Sequence, residues 1–357
     1  MEGQPSRLNY IGSKYQLLEW LESQILAATG WSFLAGHRIA DLFAGTGIVS
    51  YFFRIRGAIP VANDVEPYSH IITSAFVSSS YTGAVAAIID VLRAELTGGY
   101  HNTTPPGHIT RTYSPFENSE RMYFTVENAR RIDYLRRRLE EIRPVITHAD
   151  FTFLLASLLT SADSVANVAS TYGCYLKSFK KTAARQLDLR PVHRISTAAH
   201  PDSRALLYDA RAIAGSLRAT VEAAYLDPPY NERQYSKNYF VLNAIALTPA
   251  EAASSAAVHG KTGIPADCFV SPFCRKREVA DAFRDLIGEL REVPWIFVSY
   301  SNESLLSREE MTAILAAYGT VSVVTRPHKR FKAYEYNEGT ETEEYLFCLK
   351  TAGISPA

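Results

Sequence analysis

The stretch Arg38 to Pro67, RIADLFAGTGIVSYFFRIRGAIPVANDVEP, decides the fold. Arg38 to Phe43 reads as a short strand. A turn holding Gly45 and Gly47 follows, then a helix from Ile48 to Arg56 that stops at Gly57, then a strand from Ile59 to Asn63. Strand, glycine turn, helix and strand in so short a span predict a compact βαβ unit of a parallel sheet. The two glycines let backbone approach a ligand at the carboxyl edge of that sheet. A dinucleotide loop needs a third glycine, GxGxxG, and Ser50 stands in its place, which disfavours NAD. A tight βα turn also uses glycine for local reasons, so GxG alone is weak. The second strand, however, runs into Asn63-Asp64, and an acid there can accept both hydroxyls of a ribose. Together they predict a nucleoside-bearing cofactor with no phosphates to cradle. S-adenosylmethionine (SAM) fits that description.

Composition sets the frame. The chain has 357 residues, 47% hydrophobic and 21% charged, which predicts an ordinary globular protein of two domains. The opening MEGQPSRLNY has no apolar run, so no secretory signal is expected. The longest uncharged stretch, Pro67 to Ile89, is broken by His70, the triplet Ser78 to Ser80 and Gly83 and is too polar to span a bilayer. Four cysteines without a CxxC pair read as reduced thiols in a cytoplasmic protein with no metal site. The formal net charge is zero, but local balance differs. Thr171 to Arg194 carries Lys177, Lys180, Lys181, Arg185, Arg190 and Arg194 against one acid, Asp188. Val324 to Tyr334 carries Arg326, Lys329, Arg330 and Lys332 against none. Basic runs are often only solvated faces. Both of these also hold aromatics, Tyr172, Tyr175 and Phe179 in one and Phe331 and Tyr334 in the other, a mixture suited to a phosphate backbone with unstacked bases nearby.

Apolar spacing predicts helices over Tyr15–Ala28, Val126–Ile142, Phe151–Leu159, Tyr239–Leu247 and Arg308–Tyr318, with Pro249–Gly260 an Ala/Ser-rich loop. Strand signals recur at ALLYDARAIA, EAAYLDPPY, WIFVSYS (Trp295–Ser301), TVSVVTRP (Thr320–Pro327) and EYLFCLK (Glu344–Lys350). No helix joins the last two, which predicts an antiparallel hairpin at one sheet edge. The expected architecture is α/β: a mostly parallel, doubly wound sheet from residues 1–74 and 206–357, interrupted by a mainly helical insertion over 75–205.

The exit of one strand, AAYLDPPYNERQY from Ala223 to Tyr235, carries the chemistry. Pro228 and Pro229 have fixed φ and no N–H, so they make a rigid exit. The Asp227 carboxylate and a proline carbonyl are both acceptors, matched to the two donors of an NH2 group. Tyr230 supplies a flat face for a ring to stack on. A strand-ending turn with a local Asp cap is the plain alternative for Asp-Pro-Pro alone. The aromatic ring after it and the cofactor turn upstream favour amine binding.

In order along the chain, NYIGSK, DLFAGTG, ND and DPPY resemble the motifs of the Dam-type N6-adenine DNA methyltransferases, over nearly the whole length. DPPYNERQYSKNY is especially similar to members that accompany type II restriction systems. Tyr10 departs from Dam itself, which has a tryptophan there. The resemblance implies a SAM-dependent, Rossmann-like methyltransferase with a target-recognition insertion. It would act on double-stranded DNA in the bacterial cytoplasm, at the nucleoid, with a cognate restriction endonuclease as a possible partner. It also implies residue roles. Tyr10, Gly12, Lys14, Asp41, Phe43, Gly45, Gly47 and Asp64 would bind the cofactor. Asp209 and Ala210 would meet its adenine. Asp227, which also borders the cofactor, Pro228, Pro229 and Tyr230 would hold the target adenine. Tyr172, Lys177, Lys180, Lys181, Arg233, Lys329, Arg330 and Lys332 would meet DNA. N4-cytosine or RNA amino-group methylation uses the same acceptor geometry, although Ser or Asn more often opens the tetrapeptide there. A DNA-binding module without catalysis is the reading from another class, and the intact acceptor set argues against it.

Overall fold

The computed structural model describes residues 5–6, 8–255, 258–328 and 342–353. The chain divides into a helical unit, Met1–Gly12, Glu66–Ala199 and Tyr235–Phe269, and a sheet unit, Ser13–Val65, His200–Gln234 and Val270–Ala357. Among the described residues there are nine strands: β1 (Arg38–Asp41), β2 (Ile59–Asp64), β3 (Arg204–Leu207), β4 (Ala223–Leu226), β5 (Val258–His259), β6 (Ile264–Pro265), β7 (Trp295–Ser301), β8 (Gly319–His328) and β9 (Thr342–Thr351).

In the sheet unit, seven strands run in the order β3-β2-β1-β4-β7-β9-β8. The first five are parallel neighbours, and β9 lies antiparallel to both β7 and β8. The predicted hairpin is β8–β9, with β9 inserted beside β7 so that β8 forms the edge. A parallel centre must be covered on both faces, so its strands read as unbroken apolar runs. Ala40, Ala223, Ala224, Ile296 and Val298 accordingly have no exposed surface. The helix Val279–Glu289 buries Phe283, Leu286 and Ile287 in this core. The helix Arg308–Ala316 adds Met311 and Leu315, and a reciprocal cap between Ser307 and Glu310 fixes its start. From β1 the chain builds outward to β2 and β3, then crosses to β4 on the other side. The carboxyl ends of β1 and β4 therefore meet where strand order reverses, the usual place for a ligand crevice in such a sheet.

The helical unit contains Pro67–Ser78, Gly83–Thr97, Val126–Ile142, His148–Ser164 and Tyr235–Ala246 among its helices. Val126–Ile142 has the bounds its periodicity predicts. His148–Ser164 is longer than the apolar core Phe151–Leu159, because Thr147 caps it through the Asp150 N–H. Pro249–Gly260 is not all loop. Thr248 and Glu251 form a capping box that starts a helix over Pro249–Ser254, and β5 pairs with β6 just beyond. The unit's bounds also differ from 75–205, since it takes in Met1–Gly12 and Tyr235–Phe269. Contacts remote in sequence make this so: Tyr172 N–H donates to the Asn238 carbonyl at 2.7 Å, and Asn9 bonds Asp163.

Candidate functional site

At the end of β1, Gly45 (φ 53°) and Gly47 (φ 73°) take left-handed backbone that a side chain resists. Gly47 then starts the helix Ile48–Ile55. Asp64 at the end of β2 braces this turn, its Oδ2 accepting the Gly45 N–H at 2.7 Å. Buried Asn63 joins three strand ends. Its Nδ2 donates to the carbonyls of Leu42 (3.3 Å) and Tyr208 (3.0 Å), and its Oδ1 accepts the Tyr208 N–H at 3.2 Å. Phe43 packs edge-on against Phe273, centroids 5.1 Å apart. Asp209 caps the short helix Ala210–Ala214 through the Arg211 N–H. Burial alone would push the Asp209 carboxyl up, but two hydrogen bonds from the Arg211 guanidinium outweigh it and hold it below its ordinary value.

Asp41 is 1% exposed. Ser50, the residue that breaks the dinucleotide fingerprint, donates its hydroxyl to Asp41 Oδ2 at 2.6 Å. Burial, with Asp227 and Asp64 adding to it against the Ser50 bond, pushes Asp41 up to about 7. Its Oδ1 is buried with no hydrogen-bond partner among the described residues. A buried acceptor left open is costly, so this atom is fitted to a donor brought by a ligand, best a cation.

At the exit of β4, the Lys14 ammonium lies 2.7 Å from Asp227 Oδ1 and 3.6 Å from Glu344 Oε1. It also sits 4.7 Å above the Tyr230 ring centre. Lys14 is 4% exposed. Burial would lower its pKa, but the two carboxylates outweigh this and raise it, so it stays charged. Burial lifts Asp227 to about 6 against Lys14, with Glu344 adding to the rise, so at neutral pH the carboxylate is an acceptor. Pro228 is buried and Pro229 half-buried, as a rigid exit requires. Tyr230 is held from three sides. Its ring meets Tyr300 edge-on at 5.2 Å, its carbonyl accepts the Leu305 N–H at 3.0 Å, and its hydroxyl donates to Glu344 Oε1 at 2.5 Å. The hydroxyl is engaged as well as the ring. Glu344 has no place among the residues expected from the sequence; its only signal there is an acid among the apolar residues of EYLFCLK.

Tyr10 and Gly12 belong to the helical unit. Tyr10 stacks on Tyr239 at 4.5 Å, and Gly12 (φ 79°) needs its glycine. Among the residues expected to meet DNA, Tyr172 must be reassigned. It has no exposed surface, and its hydroxyl donates to Asp163 at 2.8 Å, so it shapes the segment from within. Lys180 is half-buried, and its ammonium donates to the Val168 carbonyl at 2.6 Å. Lys177 and Lys181 are exposed, and so is Arg233 in the sheet unit. Buried Asn167 braces both sides of Lys177, donating to the Leu176 carbonyl and accepting the Lys180 N–H. Lys329, Arg330 and Lys332 lie outside the described residues. Among the described residues, no helix is long and apolar enough to cross a membrane, and no metal-binding cluster of three His, Cys, Asp or Glu occurs.

A family profile described as D12 class N6 adenine-specific DNA methyltransferase matches residues 10–314. Type II methyltransferase M.CviAII of Paramecium bursaria Chlorella virus 1 is 41% identical over 344 residues, spanning 96% of this chain and 98% of that protein. M.NlaIII of Neisseria lactamica is 37% identical over 355 residues, 96% of this chain and 99% of its own. M.FokI of Planomicrobium okeanokoites is 33% identical over 353 residues, 96% of this chain but 52% of its own. No solved structure gives a significant match.

Proposed function

Because the chain belongs to the D12 class of N6 adenine-specific DNA methyltransferases, we propose that it transfers the methyl group of SAM to N6 of an adenine turned out of duplex DNA. The observation that carries this reading is the ion-paired Asp227 at a rigid proline exit, beside the glycine turn of β1. When bound, SAM supplies a methyl group on a positively charged sulfur. Gly45 and Gly47 admit its close approach, Asp64 accepts from its ribose, and Asp209 with Ala210 borders its adenine. Phe43 completes the binding surface of the sheet unit, and Tyr10 and Gly12 are the helical unit's own candidates for the cofactor. The open Asp41 oxygen takes the ammonium of its amino-acid end.

The chain's own residues then handle the target base. Asp227 and the Pro228 carbonyl accept the two N6 hydrogens and turn the nitrogen lone pair toward the methyl. Lys14 keeps Asp227 ionised while they do so. Pro229 stiffens the exit, and Tyr230 faces the base. Turning the base out costs a few kcal/mol, offset by phosphate contacts from Lys177, Lys181, Arg233 and the run Lys329, Arg330, Lys332. The type II methyltransferase relatives support a cognate restriction endonuclease as partner; action on DNA in the cytoplasm, at the nucleoid, is part of the same proposal. Tritiated SAM with mixed-sequence duplex DNA should give label in N6-methyladenine. Label on cytosine, or none at all, would overturn the proposal.

Two predictions follow the site's charges. SAM affinity should fall as pH drops through about 7, because protonated Asp41 no longer attracts the ammonium. The ligand's own amino group, with an ordinary pKa near 7.7–8.0, stays charged in that window. Calorimetry of Asp41→Asn should show weak binding with little pH dependence; a wild-type profile in that variant removes Asp41 from the site. Lys177→Ala with Lys181→Ala should flatten the log–log salt dependence of DNA affinity by about 0.9 for each phosphate no longer neutralised. SAM affinity should not change, and an unaltered slope would make these lysines a solvated face only.

A further inference from the structure

Glu344 is the side chain at this site whose role the proposed reaction leaves unassigned. It comes from β9, where it pairs in register with Ser301 of β7, and it is 4% exposed. A buried carboxylate is costly unless donors surround it. Among the described residues there are three: the Tyr230 hydroxyl at 2.5 Å, the Ser299 hydroxyl at 3.1 Å and the Lys14 ammonium at 3.6 Å. Two of these belong to the machinery that would hold the target base. One ammonium thus serves two carboxylates, and the trio Lys14, Asp227 and Glu344 carries one net negative charge with all three ionised.

We propose that Glu344 is a positioning residue for methyl transfer, holding the Tyr230 ring by its hydroxyl and sharing Lys14 so that Asp227 is only partly neutralised. The proposal rests on the reading that Asp227 and Tyr230 hold the adenine. A carboxylate fully neutralised by Lys14 is a weaker acceptor for the N6 hydrogens. Glu344 draws the ammonium part of the way off and repels the negative charge on Asp227. Among the described residues, the charged and titratable groups facing Asp227 are Lys14, Glu344, Tyr230, Tyr225 and Asp41. Of the carboxylates among them, Glu344 has the larger effect on Asp227, and it raises its pKa.

The test is single-turnover methyl transfer at saturating SAM and DNA, followed between about pH 5 and pH 8. Wild type should lose rate as pH falls through about 6, where Asp227 takes up a proton. Glu344→Gln keeps the acceptor for Tyr230 and Ser299 but loses the charge. Its acid limb should move down by about one pH unit, and its plateau rate should fall about tenfold. Glu344→Asp keeps the charge and shortens the reach, so its limb should stay in place while its plateau falls. An unmoved limb in Glu344→Gln would overturn the charge-sharing role, since a fastening role for β9 predicts no movement. Tyr230→Phe keeps the ring, removes the hydroxyl from Glu344 and from Asp227, and needs neither Glu344 variant to fold. It should slow transfer about tenfold with SAM affinity unchanged, and a wild-type rate would overturn the positioning role. Failure of the underlying reading looks different: Asp227→Ala would remain active.

Discussion

Asp227→Ala is expected to abolish turnover while SAM still binds. The adenine amino lone pair is delocalised into the ring, so the nitrogen is a poor nucleophile until two acceptors hold its hydrogens. Removing the carboxylate leaves the Pro228 carbonyl alone. The loss should be about 3 kcal/mol of barrier or more, a hundredfold or greater in rate, on the scale of removing one preorganised electrostatic partner. No covalent intermediate is needed, because positioning and charge serve a direct displacement. The fold should survive, since Lys14 keeps Glu344 within 3.6 Å as a partner. Single-turnover transfer near the wild-type rate in this variant would show the mechanism to be wrong, and calorimetry separates loss of chemistry from loss of SAM.

Asp163→Ala should cost the helical unit about 3 kcal/mol. Asp163 is 1% exposed and accepts three hydrogen bonds: the Asn9 N–H at 2.8 Å, the Asn9 amide at 3.0 Å and the Tyr172 hydroxyl at 2.8 Å. Alanine strands all three donors, each worth about 1–3 kcal/mol, while removing a buried charge returns part of that. Burial raises Asp163 to about 6 despite these bonds. Its unfolded value is about 3.9, so the native state binds the proton more tightly. That contribution is complete below pH ~4 and is lost as pH rises through about 6. Asp163→Asn, with nothing to titrate, should not show the loss. Hydrogen exchange of the Asn9 and Tyr172 amides reads the effect locally; protection within ~0.5 kcal/mol of wild type in Asp163→Ala would mean that water replaces the carboxylate.

What was legible in the sequence was what is local. The glycine turn of β1, the acid at the end of β2 and the proline exit of β4 each announce themselves within a few residues, and the helix Val126–Ile142 carries its own caps. What was hidden depends on residues far apart. Tyr172 in a basic run has the composition of a base-stacking site, and only Asp163 and Asn238 place it in a core. Nothing near Tyr235–Phe269 says that the chain returns there to the helical unit. The helix Pro249–Ser254 was legible through Thr248 and Glu251, but its Ala/Ser content masked the signal. Glu344 gains meaning only from Lys14 and Tyr230, more than a hundred positions away.

The place of β9 sets an order of events during synthesis. β7 ends at Ser301, and its neighbour on the far side begins at Thr342. At about 5–20 residues per second, the growing chain spends several seconds with β7 made and that neighbour absent. In the interval β7 presents an open strand edge, the kind of edge that recruits other chains. β8 is made first but offers no remedy, since among the described residues it pairs only with β9. Until β9 slides into its slot, Lys14 lacks the Glu344 carboxylate and the Tyr230 hydroxyl lacks its acceptor on that strand. The surroundings of Asp227 are therefore complete only once β9 has threaded between two strands made before it.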